Sequence, residues 1–222
     1  MGGRMKAVKL FFLMASTILF LLTGCRYFDG VKGNGNYISE KRNVEDFSEI
    51  DISGAFNLFV EVGEEPSLKI NTDENLHELI RTDVRNGRLI IDQKRNLRSE
   101  EPIDIRVTTK DLRKIDGAGA CDIIVNNVNN LDFELNLSGA TELRISGSTD
   151  NFNVELSGAS KLFASNFLAN FVRVEASGAS KAEVNSDKSL LVNASGASKV
   201  NYFGNPSEID YDLSGASSIN RK

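Results

Sequence analysis

The 222-residue chain has no tryptophan, one histidine (His77), two cysteines (Cys25 and Cys121) and three prolines. Two cysteines are too few for a disulfide scaffold, and with a single histidine they cannot build the Cys/His frameworks that hold structural zinc. His77-Glu78 begins like the helix of a zinc protease, but Arg81 stands where the second histidine belongs, so metal catalysis is not expected there. Positive charge is also scarce. The net charge of -5 becomes -8 once Arg4, Lys6 and Lys9 leave with the segment before Cys25, which argues against nucleic acid as a partner. Gly33-Asn34-Gly35 opens like a phosphate-cradling loop, yet Ile38 takes the place of the third glycine and no strand precedes it. No cofactor is expected.

What remains is an ordinary globular balance, 41% apolar and 26% charged, with an address in front of it. Residues 1–24 carry a basic start and an apolar run from Leu10 to Leu22, interrupted only by Ser16 and Thr17. That is a secretory signal, shorter than the roughly 20 residues a membrane-spanning helix needs. It ends in Leu22-Thr23-Gly24-Cys25, a lipobox, which predicts cleavage before Cys25 and acylation of its thiol. The expected product is a cell-envelope protein held by lipid in the outer membrane, with residues 25–36, rich in Gly and Asn, as a tether. Cys121 is then the only other thiol, and stability must come from packing.

The strongest feature is a repeat. Ser-Gly-Ala recurs around Gly139, Gly158, Gly178, Gly196 and Gly215, with Ala118-Gly119-Ala120 as a degenerate copy, at a near-constant spacing of about 19 residues. Side chains alternate on both sides of each glycine. Leu135, Val154, Val174, Val192 and Tyr211 stand four before it, and Leu143, Leu162, Ala182, Val200 and Ile219 four after. Period two means strand, and a repeat of that length is too short for a βαβ unit. The prediction is an all-β parallel solenoid, each coil a strand, a Ser-Gly-Ala bend and a second strand, the six copies making a rod of about 29 Å. Glycine permits the bend, alanine is expected to fill the inside of the corner, and stacked serines to bond along the column or to the turned backbone.

Ser53-Gly54-Ala55, between Ile50-Asp51-Ile52 and Leu58, fits the same columns, so the solenoid is one domain over 37–222. Residues 37–112 are read as irregular, elaborated coils and 113–222 as regular ones. Between Gly54 and Gly119, Leu68-Lys69-Ile70, Leu89-Ile90-Ile91 and Ile103–Val107 read as strands, Asn86-Gly87 as a tight turn, and Asp73–Arg81 as one or two helical turns capped by Asp73. Residues 94–101, with Lys94, Arg95, Arg98, Glu100 and Glu101, form a charged loop, read as a mobile surface loop or a binding loop.

From Ile38 to Ile219 the chain resembles the bacterial lipoprotein family of the putative autotransporter adhesin head, or GIN domain, common in Bacteroidetes. The likeness rests on Phe47–Ala55, on Leu112-Arg113-Lys114-Ile115, and on the recurring Ser-Gly-Ala-Ser-Lys. It implies right-handed β-helical coils and an adhesin-like role. No membrane barrel follows the last coil here, so a lipid anchor is expected in place of autotransport.

Catalysis by the bend serines is not expected, since no Gly-x-Ser-x-Gly elbow exists and one histidine cannot serve five serines. Lys161, Lys181 and Lys199 form a candidate binding ladder, which reads equally as a solvated edge. Asn153, Glu155, Arg173, Glu175 and Asn193 do not read as clustered acids, so paired catalytic carboxylates are not expected. The function expected is non-enzymatic presentation of a rigid solenoid to a glycan or protein, against two alternatives, a polysaccharide-acting β-helix enzyme and a structural assembly protein. With Ile219 so close to the last residue, self-association through the final coil is a further expectation.

Overall fold

The computed structural model describes residues 30–222, so the expected signal and Cys25 lie outside the described residues. Strands leading into the bends form one face of a continuous 16-stranded sheet and strands leaving them another, here the entry and exit sheets. Through the regular coils the entry strands are Lys114–Gly119, Asp132–Leu137, the second halves of Glu142–Leu156, Lys161–Ala176 and Lys181–Ala194, and Glu208–Leu213. The three long strands carry straight on from an exit strand into the next entry strand, so the expected polar turns at Gly147–Asp150 and Asn185–Lys188 are corners within continuous strand. Every pairing in this part is parallel, as stacked coils require.

Alternate side chains point inward and are buried, for instance Leu135, Val154, Val174 and Val192 in the entry sheet and Leu143, Leu162, Ala182 and Val200 in the exit sheet. Phe133, Phe152 and Phe167 pack together in the core, Phe167 edge to face with the other two and those two tilted to each other, with ring centroids 4.9 to 6.0 Å apart.

The bend glycines have positive φ, +71° at Gly158 and +75° at Gly178. A Cβ on Gly158 would also stand 2.6 Å from the carbonyl oxygen of Gly139. That same carbonyl accepts a hydrogen bond from the Ala159 amide at 2.7 Å, so the close approach is what ties one corner to the next. Alanine does not fill the corner as expected. Ala140, Ala159, Ala179 and Ala197 are exposed, and the next residue, Thr141, Ser160, Ser180 or Ser198, turns inward and is buried. At three of these four corners the hydroxyl returns a bond to the turn, the buried Ser180 hydroxyl being the exception. Ser160 donates to the Ser157 carbonyl at 2.8 Å and Ser198 to that of Ser195 at 2.6 Å.

The N-terminal half differs from a series of intervening coils. Gly119 pairs directly with Gly54, and Asp116 with Asp51, across adjacent parallel strands, although a long stretch of chain separates each pair. The chain between them lies on the far side of the Glu49–Val62 coil. It adds one coil there, Arg88–Gln93 against Glu49–Gly54 and Asp104–Thr109 against Asn57–Val62. Antiparallel strands then cover that coil, Ile80–Arg85 on the entry sheet and Ser67–Asp73 followed by Tyr37–Arg42 on the exit sheet. Asn86 and Gly87, both at positive φ, make the expected tight turn.

Glu74–Leu79 is a short 3-10 helix, but Asp73 makes no side-chain cap to it. Its buried carboxylate instead accepts from the Gly35 amide at 2.7 Å and the Ser99 hydroxyl at 2.5 Å. This changes the reading of the tether, whose described part is fastened to the domain. Val31–Lys32 pairs with Leu97–Arg98 inside the charged loop, and Gly33 lies so close to Asp73 that a Cβ would collide with its carboxylate. The glycines here serve close approach, not slack.

At the other end nothing among the described residues pairs with the outer edges of Glu208–Leu213 or Ser218–Arg221. Ile209 and Tyr211, on the core columns, are 40% and 57% exposed.

Candidate functional site

Outward-facing residues stack as regularly as the buried ones. Three positions before each bend glycine stand Asp51, Asp116, Asn136, Glu155, Glu175, Asn193 and Asp212, each the strand-to-strand partner of the next. With strands about 4.8 Å apart the column runs about 29 Å along the solenoid. A shoulder of serines, Ser138, Ser157, Ser177, Ser195 and Ser214, borders it on the bend side, and together they line a groove of about 630 Å³. The acids therefore do repeat, contrary to the sequence reading, which mixed this column with its neighbour through Asn153 and Arg173. Aligning every coil on its glycine, Gly54 included, carried the signal.

The groove is most structured where Asp51 meets Asp116. Burial, and then the neighbouring Asp116 carboxylate, push the Asp51 carboxyl above its ordinary range, while Arg88 opposes them. Arg88 bridges Glu49 at 2.7 Å and Asp116 at 3.1 Å, and the Asn136 amide donates to Asp116 at 2.7 Å. Beside them Lys114 pairs with Glu134, a contact that holds the glutamate's carboxyl low and the lysine's ammonium high. A carboxyl that resists ionisation thus sits next to a second carboxylate that is paired with a guanidinium and an amide. Further along, Glu155 and Glu175 are adjacent, and Glu175 binds Arg173 at 2.6 Å.

Lys161, Lys181 and Lys199 come together in register, as a ladder on the exit sheet across the corner from the groove. Lys161 lies 3.4 Å from Glu142, and Lys181 is 2.6 Å from Glu183 and over the Phe163 ring. Two of the three are thus already engaged with neighbours. His77 is buried in the cap, with Glu40 as its nearest carboxylate at 3.6 Å, far from the groove. Burial raises the Cys121 thiol pKa, which leaves it an inert filler of the corner column. Among the described residues no group of three or more His, Cys, Asp or Glu could hold a metal ion.

The family described as "Putative auto-transporter adhesin, head GIN domain" matches residues 46–206. The chain belongs to this family. Solved structures share its fold. A putative adhesin from Bacteroides fragilis superposes with a TM-score of 0.72 at 17% identity, over 87% of this chain and 100% of that one. A structure from Parabacteroides distasonis named as a putative lipid binding protein gives 0.55 at 21% identity, over 87% and 100%. Another from the same organism, named as a putative adhesin, gives 0.50 at 17%, again over 87% and 100%. No curated protein matches the sequence. At these identities the neighbours establish the parallel β-solenoid, and the names of these three are those of adhesins and a lipid binder.

Proposed function

We propose that this GIN-domain chain is a non-enzymatic lipoprotein of the cell envelope, anchored through Cys25 in the outer membrane, whose entry-sheet groove holds a glycan. The observation that carries the reading is the column of carboxylates and amides from Asp51 to Asp212 with its serine shoulder. It is a straight row of hydrogen-bond acceptors and hydroxyls repeating at about 4.8 Å, suited to an extended polar polymer and wasted on a compact ligand. The adhesin names of the family and its neighbours agree with binding as the role.

The test is glycan-array binding by the mature protein, alongside a variant with Glu155→Arg and Glu175→Arg. Both side chains point outward, so the variant keeps its fold and melting temperature while losing the signal. An unchanged glycan profile for the variant would remove the groove from the function. The anchor is tested separately, since Cys25→Ala should move the protein from the detergent phase to the aqueous phase.

A second reading has one specific observation in its favour, the Asp51–Asp116 pair. In a polysaccharide-cleaving enzyme Asp51 would act as the acid and Asp116 as the base. Release of new sugar ends from a bound polysaccharide, abolished by Asp51→Asn, would favour it over simple binding.

A further inference from the structure

The exit sheet carries a second pocket, of about 690 Å³, at the end of the solenoid where residues 30–36 are fastened. Its floor is a row of three cations in register on neighbouring strands, Lys41 beside Lys69 and Lys69 beside Arg106, followed by Phe59. Arg106 lies over the Phe59 ring at 4.6 Å, and Val44 and Pro66 supply apolar wall. Among the described residues none of the three cations enters an ion pair. The nearby acids are engaged elsewhere. Glu61 on the rim accepts from the Asn126 and Asn127 amides, Glu40 holds Arg42, and Asp104 accepts from Asn57. Three like charges on strands about 4.8 Å apart give the row a local excess of positive charge that an anion would relieve.

Position says which anion. Tyr37–Arg42 is the outermost strand of the exit sheet and follows directly from the fastened segment, and Lys69 stands on the same strand as the Asp73 that fastens it, about 13 Å away. Gly30 is only five Cα-to-Cα steps from Cys25, a reach of at most about 18 Å. An acylated Cys25 would therefore keep this end of the solenoid against the bilayer.

We propose that the pocket of Lys41, Lys69 and Arg106 takes the phosphate of an anionic lipid headgroup in the bilayer that holds the Cys25 anchor. The two ammonium groups and the guanidinium fork supply charge-assisted donors to phosphate oxygens, and Phe59, Val44 and Pro66 lie against the adjoining apolar part of the lipid. The site adds orientation to what the acyl chains provide, and it rests on the anchor reading of Cys25.

The test uses the mature chain extracted from membranes and reconstituted in two kinds of vesicle, phosphatidylcholine alone and phosphatidylcholine with phosphatidylglycerol. Lysine acetylation is read peptide by peptide. On the anionic vesicles Lys41 and Lys69 should be protected about fivefold, the scale of one basic residue at a charged membrane surface, while Lys199 reacts equally on both. Arg106→Glu should lower the protection of Lys41 and Lys69 with the melting temperature unchanged. Equal reactivity of Lys41 and Lys69 on the two vesicles overturns the proposal. Equal protection on neutral vesicles by added inorganic phosphate would assign the pocket to a free anion and overturn the headgroup. A chain that floats free of both vesicles overturns the anchor and this proposal with it, an outcome distinct from an anchored chain with unprotected lysines.

Discussion

Gly178 lies so close over Gly158 that a Cβ on Gly178 would stand 2.5 Å from the Gly158 carbonyl oxygen. The same arrangement holds between Gly158 and Gly139, so two constraints coincide at each corner, a left-handed backbone and a neighbour that cannot move without breaking its own bond.

Gly158→Val should therefore cost several kcal/mol, whereas Lys161→Ala, three residues on but exposed, should change stability by under about 0.5 kcal/mol. Thermal melting of the two variants decides it. Equal melting temperatures would show that the corners are not tightly stacked.

Asp51 gives a pH signature whose sign follows from its raised pKa. Below its ordinary 3.8 the carboxyl is protonated in both folded and unfolded chains and imposes nothing. Above that value the unfolded chain releases the proton more readily than the fold does, so stability falls as pH rises through the raised folded pKa and stays reduced at neutral pH. Asp51→Asn should melt higher than the parent at pH 7 and lose that advantage near pH 3. Melting curves at the two values check this, and a gap that widens towards acid would contradict it.

Asp73 should hold the segment leading from Cys25. Asp73→Ala removes the acceptor for the Gly35 amide and the Ser99 hydroxyl, so limited proteolysis should open residues 30–36 while the regular coils stay protected. Cleavage as slow as in the parent would mean that the pairing with Leu97–Arg98 suffices.

The unpaired edges at Glu208–Leu213 and Ser218–Arg221 should bring copies of the described domain together at high concentration. Light scattering should then show Ile219→Lys to be monomeric, with the coils near Gly54 unaffected in melting. A parent that stays monomeric throughout removes this end as a self-association surface.

Much of the architecture was legible because strand periodicity and the glycine spacing are local properties. Leu135, Val154, Val174 and Val192 align in the sequence as they do in the core, since each coil repeats one physical problem. The buried serine was harder, because Ser160 and Ala159 are both small and only the hydroxyl's bond to Ser157 shows which one turns inward. The Asp73 carboxylate resembled a helix cap in sequence and proved to be the clasp of a segment 38 residues away.

The sequence by itself determined the coil, its bends and its inward columns, all of which depend on residues within about one repeat of each other. Tertiary structure alone decided which coils are neighbours. Asp51 meets Asp116, and Lys41, Lys69 and Arg106 make one row, because hydrogen bonding between backbones sets strand register without regard to the length of chain between them. Loop closure grows only slowly costlier with length, so the chain between Gly54 and Gly119 could leave the stack, cap it and return, and no periodicity in the sequence records that route.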